Sequence, residues 1–244
     1  MKDTIKIKNL NTKMVAHRGV SALEVENTAA AFIAAGNRSY YGVECDIRKT
    51  LDGNFVIHHD SSLKRLSGVD VIPEEKTLVE LQNIPLIDHD GTATRAHLRL
   101  ARLEDYISIC KKYGKHCVLE LKGEYTDEET KSFIDIIDSL GYLDSVTFIS
   151  FNYENLLKVR KILPNQSAQF LFDNFSEEII ENLIKDKLDV DVRHAALTKE
   201  VVDRLHSLGL VINCWTVDDK ERAELLAEWG VDQITSNILE GTLA

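Results

Sequence analysis

Eight short apolar runs, most of them followed by an amphipathic helical stretch, recur along this 244-residue chain, which predicts a closed (β/α)8 barrel. Two further observations support that class. No G-x-G-x-x-G turn follows the first apolar run, as an open doubly wound sheet would favour. The length suits one undivided barrel domain, with residues 60–100 inserted after the second strand.

The strand candidates, in order, are 14–18, 41–46, 117–121, 146–151, 168–173, 189–193, 210–217 and 232–236. The first helix is expected over 27–36, capped near Asn27. The i, i+3/i+4 spacing of apolar residues predicts helices at 102–114, 127–141, 153–162, 176–187, 198–208 and 219–229. Gly114, Gly141, Gly209 and Gly230 stand just past four of them. The stretch 60–100 breaks the rhythm with two of the three prolines and a polar H-D-G-T-A-T-R run, so it reads as an insertion over one end of the barrel.

Composition narrows the partners. A net charge of −11 argues against nucleic acid or an anionic membrane surface, and an anionic substrate would need locally gathered cations. The N-terminal M-K-D-T-I-K-I-K-N-L lacks an apolar core of signal-peptide length, and no run is long enough to span a bilayer. Cys45, Cys110, Cys117 and Cys214 show no metal or disulfide spacing and read as reduced, buried thiols, which places the chain in the cytoplasm.

Reactive groups in such barrels sit at the C-terminal ends of strands. Here those ends carry His17-Arg18, Glu44-x-Asp46, Glu120-x-Lys122 and Asn213-x-Trp215. Asp52-Gly53 predicts a two-residue hairpin between Y-G-V-E-C-D-I-R-K-T and N-F-V-I-H-H-D. In that register Asp46 faces His59, Cβ atoms roughly 5 Å apart, and His58 points to the other face. Three carboxylates at one mouth would repel without a cation, and a hard dication with oxygen ligands, Mg²⁺ or Ca²⁺, fits Glu44, Asp46 and Glu120 better than zinc. Arg18 and Lys122 suit a phosphate, as planar fork and point charge. His17 and His59 could then serve as acid and base across phosphorus. The chemistry that uses all these parts is metal-assisted phosphodiester cleavage.

The ordered motifs V-A-H-R-G, E-N-T, V-E-C-D-I, V-I-H-H-D, L-E-L-K and N-C-W-T-V resemble those of the glycerophosphodiester phosphodiesterase family, from about residue 13 to 238. The resemblance implies a TIM-type barrel, a divalent metal on Glu44, Asp46 and Glu120, and a catalytic pair at His17 and His59. It also implies Arg18 and Lys122 at the phosphate, Trp215 lining the pocket, and release of sn-glycerol 3-phosphate and an alcohol. The family's closing T-D-x-P reads Thr235-Ser236-Asn237-Ile238 here, a departure that bears on substrate preference. Two other readings are a lysophospholipase-D-like enzyme, with Trp215, Ile84, Leu86 and Ile87 as its acyl-binding hints, and a non-catalytic glycerophosphodiester-binding barrel. Rival structural roles also exist: Glu120–Lys122 as an ion pair in a barrel layer, Trp215 as a plug, and Glu26-Asn27 as a helix cap.

Overall fold

Eight parallel strands close on themselves in the computed structural model, which describes residues 3–242. Residues 1–2 and 243–244 of the expected 1–244 domain, including the start of the N-terminal stretch, lie outside the described residues. The strands are β1 (Ile5–Ile7), β2 (Lys13–Ala16), β3 (Gly42–Lys49), β4 (Phe55–Ile57), β5 (His116–Leu121), β6 (Val146–Ser150), β7 (Ala168–Phe172), β8 (Asp189–Arg193), β9 (Ile212–Trp215), β10 (Gln233–Ser236) and β11 (Leu239–Gly241). The helices are α1 (Ala29–Gly36), α2 (Lys64–Ser67), α3 (Leu78–Gln82), α4 (Leu103–Tyr113), α5 (Asp127–Ser139), α6 (Tyr153–Ile162), α7 (Glu177–Asp186), α8 (Lys199–Ser207) and α9 (Lys220–Glu228).

The barrel runs β2, β3, β5, β6, β7, β8, β9, β10 and closes where Val15 and Ala16 pair with Gly42 and Val43. β1 and β11 form a separate parallel pair. Helices cover the barrel and bury most of the core between helix and strand; Phe133 of α5 packs edge-on against Phe55 and Tyr125. Inside the barrel, Val15, Val118, Ile149 and Leu171 form a small apolar plug with Trp215 beside it. Thr126 and Glu129 form a capping box at α5, which supplies partners for its first backbone N–H groups.

Two local expectations need correction. The hairpin pairs Ile47 with Ile57 and Lys49 with Phe55, so partners sum to 104 and the turn holds three residues, Leu51 to Gly53. Thr50 and Asn54 close it: the Thr50 backbone N–H donates to the Asn54 carbonyl at 2.9 Å, and the Thr50 hydroxyl accepts from the Asn54 N–H. This register sets His58, not His59, opposite Asp46; the strand ends at Ile57, so alternation no longer governs either histidine. The cap of α1 is Thr28, whose hydroxyl accepts from the Ala31 N–H, leaving Asn27 free for another task.

The segment after β4 builds its own apolar cluster, with Leu63, Leu66, Leu81, Leu86, Leu98 and Leu100 packed on Val25 and Val56. All four cysteines are buried and unpaired. Among the described residues no helix is long and apolar enough to cross a membrane.

Candidate active site at the barrel mouth

Where β2 ends, the chain turns sharply. Arg18 takes φ 54° and Gly19 φ 79°; a Cβ on Gly19 would lie 2.6 Å from the Ala31 backbone, so only glycine fits against α1. The turn explains how His17 and Arg18, adjacent in sequence, both reach one cavity. Glu44 fixes it by accepting the Arg18 backbone N–H at 2.8 Å. The cavity, about 130 Å³, is lined by His17, Arg18, Glu44, His59, Glu120, Lys122 and Trp215, with Phe151, Leu171 and Asp191 among the rest. Asp46 is fully buried beside it. The structure therefore brings together His17, His59, Arg18, Lys122, Trp215 and the three acids Glu44, Asp46 and Glu120, whereas Ile84 and Leu86 sit in the insertion's own cluster.

Glu44, Asp46 and Glu120 each offer an oxygen, and the three lie within 4.8 Å of one another. Burial, then the charges of Asp46 and Glu120, push the Glu44 carboxyl well above its usual range. Burial and Asp46 raise Glu120 to about 7 against the pull of Lys122. Burial also opposes ionisation of Asp46, yet Lys122 and Arg18 outweigh it and hold that carboxyl well below the usual range. Without added positive charge the set resists having all three carboxyls ionised at once. Asp46 Oδ1 has no hydrogen-bond partner, although Lys122 Nζ stands 3.2 Å away and 2.6 Å from Glu120. An all-oxygen trio with an unsatisfied buried lone pair fits a hard dication.

The two imidazoles are backed differently. His17 Nδ1 lies 2.7 Å from Asn237 Oδ1, and the Asn237 amide donates to Asp218 at 2.6 Å, which fixes the amide orientation. His17 therefore donates through Nδ1 and leaves Nε2, 4.0 Å from Glu44, as the free lone pair. Burial and the Arg18 charge drive its pKa down to about 4, so it rests neutral. His59 Nδ1 instead meets the Asp60 carboxylate at 2.8 Å. Burial lowers the pKa of His59 too, while Asp46 and Asp60 oppose the shift.

Several neighbours support the site, some of which the sequence reading did not assign to it. Asn27, at φ 58°, donates to Asp46 Oδ2 at 2.7 Å, so it braces the acid trio. Glu26 accepts from Arg18 at 2.8 Å. The E-N-T triplet is visible as a motif and Glu26-Asn27 reads first as a helix cap, with a bracing role left open by the family resemblance; the contacts to Asp46 and Arg18 are that bracing. Asp60 could have been read from H-H-D, whereas Asn237 and Asp191 carried no local signal. Ser236 donates to Asp218 and accepts the N–H groups of Ile238 and Leu239, so the departed motif shapes a turn and Thr235 is what lines the cavity.

A (β/α)8 barrel whose strand ends converge on buried acids, oriented imidazoles and a cationic pair defines the class of barrel phosphoric diester hydrolases. The model of the glycerophosphoryl diester phosphodiesterase family matches residues 17–240, and the chain belongs to that family. It is 26% identical over 232 residues to a glycerophosphodiester phosphodiesterase of Caldanaerobacter subterraneus, covering 93% of this chain and 95% of that one. A glycerophosphodiester phosphodiesterase structure from Thermotoga maritima aligns with TM-score 0.74 at 26% identity, over 93% and 94% of the two chains. An Oleispira antarctica phosphodiesterase, solved with its product sn-glycerol-3-phosphate, aligns with TM-score 0.86 at 24% identity, over 93% of each.

Proposed function

We propose that the protein hydrolyses glycerophosphodiesters to sn-glycerol 3-phosphate and an alcohol, with one divalent cation, Mg²⁺ or Ca²⁺, held by Glu44, Asp46 and Glu120. The observation that carries this reading is the pair of differently backed imidazoles facing one buried acid trio. When bound, the cation polarises the phosphate and offsets its developing charge. Arg18 and Lys122 hold the phosphate oxygens, and Trp215 forms the wall beside the alcohol or glycerol moiety.

His17, neutral with Nε2 free, takes the proton of the attacking nucleophile as its oxygen bonds to phosphorus. That nucleophile is either water, which gives glycerol 3-phosphate directly, or the neighbouring glycerol hydroxyl, which gives a cyclic phosphate that a water then opens to glycerol 3-phosphate. The P–O bond to the leaving alcohol breaks, and His59, backed by a carboxylate that favours imidazolium, donates the proton to that alcohol. The amide behind His17 offers no such charge compensation, which is why the roles divide this way.

We place residues 60–100 as an insertion within a single catalytic domain of the cytoplasm. The deep cavity is smaller than the several hundred Å³ typical of drug-sized ligand sites. Leu86 is fully buried and Ile84 packs in the insertion's own cluster. Both facts favour a deacylated substrate over a lysolipid. The test is release of glycerol 3-phosphate from a panel of glycerophosphodiesters with Mg²⁺ or Ca²⁺ varied. Turnover restored to chelated protein by one metal supports the reading; binding without turnover in every metal would instead make the barrel a non-catalytic binder.

A further inference from the structure

The cavity has two unlike halves. One arc, from β2, β3 and β5, carries His17, Glu44, Glu120 and Lys122; the facing arc, from β6, β7 and β9, carries Ile149, Phe151, Leu171 and Trp215. Within the apolar arc stands one acid, Asp191 on β8, 1% exposed and part of the cavity lining. Parallel pairing sets it beside Leu171 on one strand and Asn213 on the other.

Asp191 is held in place by its other oxygen. Asn213 Nδ2 donates to Asp191 Oδ2 at 3.2 Å and to Gln169 at 3.3 Å, and Thr235 donates to the Asn213 oxygen at 3.3 Å. The Trp215 indole N–H meets the Asp191 backbone carbonyl at 3.4 Å, and so is committed. Asp191 Oδ1 has no partner at all. Buried acceptors are nearly always satisfied, and Leu171 and Ile149 have nothing to donate. An unpaired, fixed carboxyl oxygen lining a cavity is the feature that selects a ligand with a hydroxyl at that place, which can both donate and accept.

We propose that Asp191 is a specificity-determining residue, whose Oδ1 pairs with the terminal hydroxyl of the glycerol moiety. The inference rests on the reading of the site as a glycerophosphodiester hydrolase. The phosphate belongs to the cationic arc, so the hydroxyl farther from phosphorus is the one that reaches across to β8. The hydroxyl next to the phosphoester stays by the histidines. Selection is then for a free terminal hydroxyl, and an acyl group there leaves Asp191 buried against hydrocarbon.

The test compares two diesters that differ only in that hydroxyl, glycerophosphocholine and its 1-deoxy analogue, through kcat/KM for the wild type, Asp191→Leu and Asp191→Asn. Calorimetry of sn-glycerol 3-phosphate and its 1-deoxy analogue runs in parallel. The wild type is expected to prefer the hydroxylated member by tenfold to a hundredfold in both assays. Asp191→Leu is expected to bring the ratio close to one, and Asp191→Asn, which keeps an acceptor oxygen, to an intermediate value. Should Asp191→Leu fail to fold, the isosteric Asn variant decides by the same ratio. An unchanged ratio in the variants overturns the role of Asp191 while leaving the hydrolase reading standing. Wild-type protein that cleaves neither diester overturns the hydrolase reading itself, and the binding ratios then decide whether Asp191 selects the hydroxyl.

Discussion

Arg65 of α2 grips Glu26 through both terminal nitrogens, at 2.7 and 2.8 Å, and reaches Asp60 with Nε at 2.7 Å. Glu26 in turn holds Arg18, and Asp60 orients His59. One guanidinium from the insertion therefore braces both Arg18 and the His59 imidazole. Its side chain is half exposed, so the pairs contribute little stability, up to about 1 kcal/mol. Their effect is on geometry. Arg65→Ala is expected to lower kcat by tenfold to a hundredfold with a smaller change in KM and an unchanged unfolding temperature. Arg65→Lys should not rescue, because an ammonium cannot fork between two carboxylates. Wild-type kcat in the alanine variant would remove the brace from the mechanism.

The barrel was legible because its signals are local and repeated. The i, i+4 stripes and polar strand ends placed the strands from 117–121 onward to within two residues of β5 to β10. His59 was reached through a hairpin register that is off by one. The error arose because Asp52-Gly53 signals a two-residue turn, whereas the Thr50 side chain closes a three-residue one. Position in the loop after Ile57, rather than strand alternation, brings His59 to the cavity. The backing of His17 was not legible: Asn237 lies 220 residues away and meets it only because β10 closes the barrel beside β2. Asn27 reads locally as a cap, and only its left-handed backbone reveals the side chain turned toward Asp46.

His17→Ala and His59→Ala are each expected to lower turnover by on the order of 10²-fold or more, with the fold kept. The different backing adds a sharper expectation. Replacing Asp60 by Asn removes the charge that favours protonated His59, so the alkaline limb of the pH–rate profile should move to lower pH. Replacing Asn237 by Ala should leave that limb in place and act on the acid limb through His17. Identical profiles for the two variants would refute the division of roles.

The acid trio gives a readout independent of turnover. A dication that binds the folded chain alone stabilises it by about 2.7 kcal/mol at a hundredfold excess over Kd. Mg²⁺ or Ca²⁺ is therefore expected to raise the unfolding temperature of the wild type. Glu44→Gln, Asp46→Asn and Glu120→Gln should each weaken or abolish the rise, since each removes an anionic ligand from a set confined within 4.8 Å. A shift that survives all three substitutions would place the metal elsewhere.

Glu240 of β11, 1% exposed, ties Thr4 and Lys6 at β1 to the loop before β3. It accepts from Thr4 at 2.5 Å and from the Ser39 N–H at 2.6 Å, with Lys6 Nζ at 2.6 Å. Burial opposes its ionisation, but Lys6, Thr4 and Ser39 outweigh that and lower its pKa from 4.5 to about 2. A depressed folded pKa means the ionised form supports the fold. The contribution is complete above about pH 4.5 and is lost as pH falls toward 2. Lys6 is half exposed, so the size is discounted to about 1–3 kcal/mol. Urea unfolding of the wild type and Glu240→Gln should therefore differ most at pH 5–7, with the gap narrowing at pH 3.5. A gap that is constant from pH 7 to 3.5 would assign the loss to packing or neutral hydrogen bonds, because below about pH 4.5 the unfolded chain takes up a proton at Glu240 that the folded chain does not.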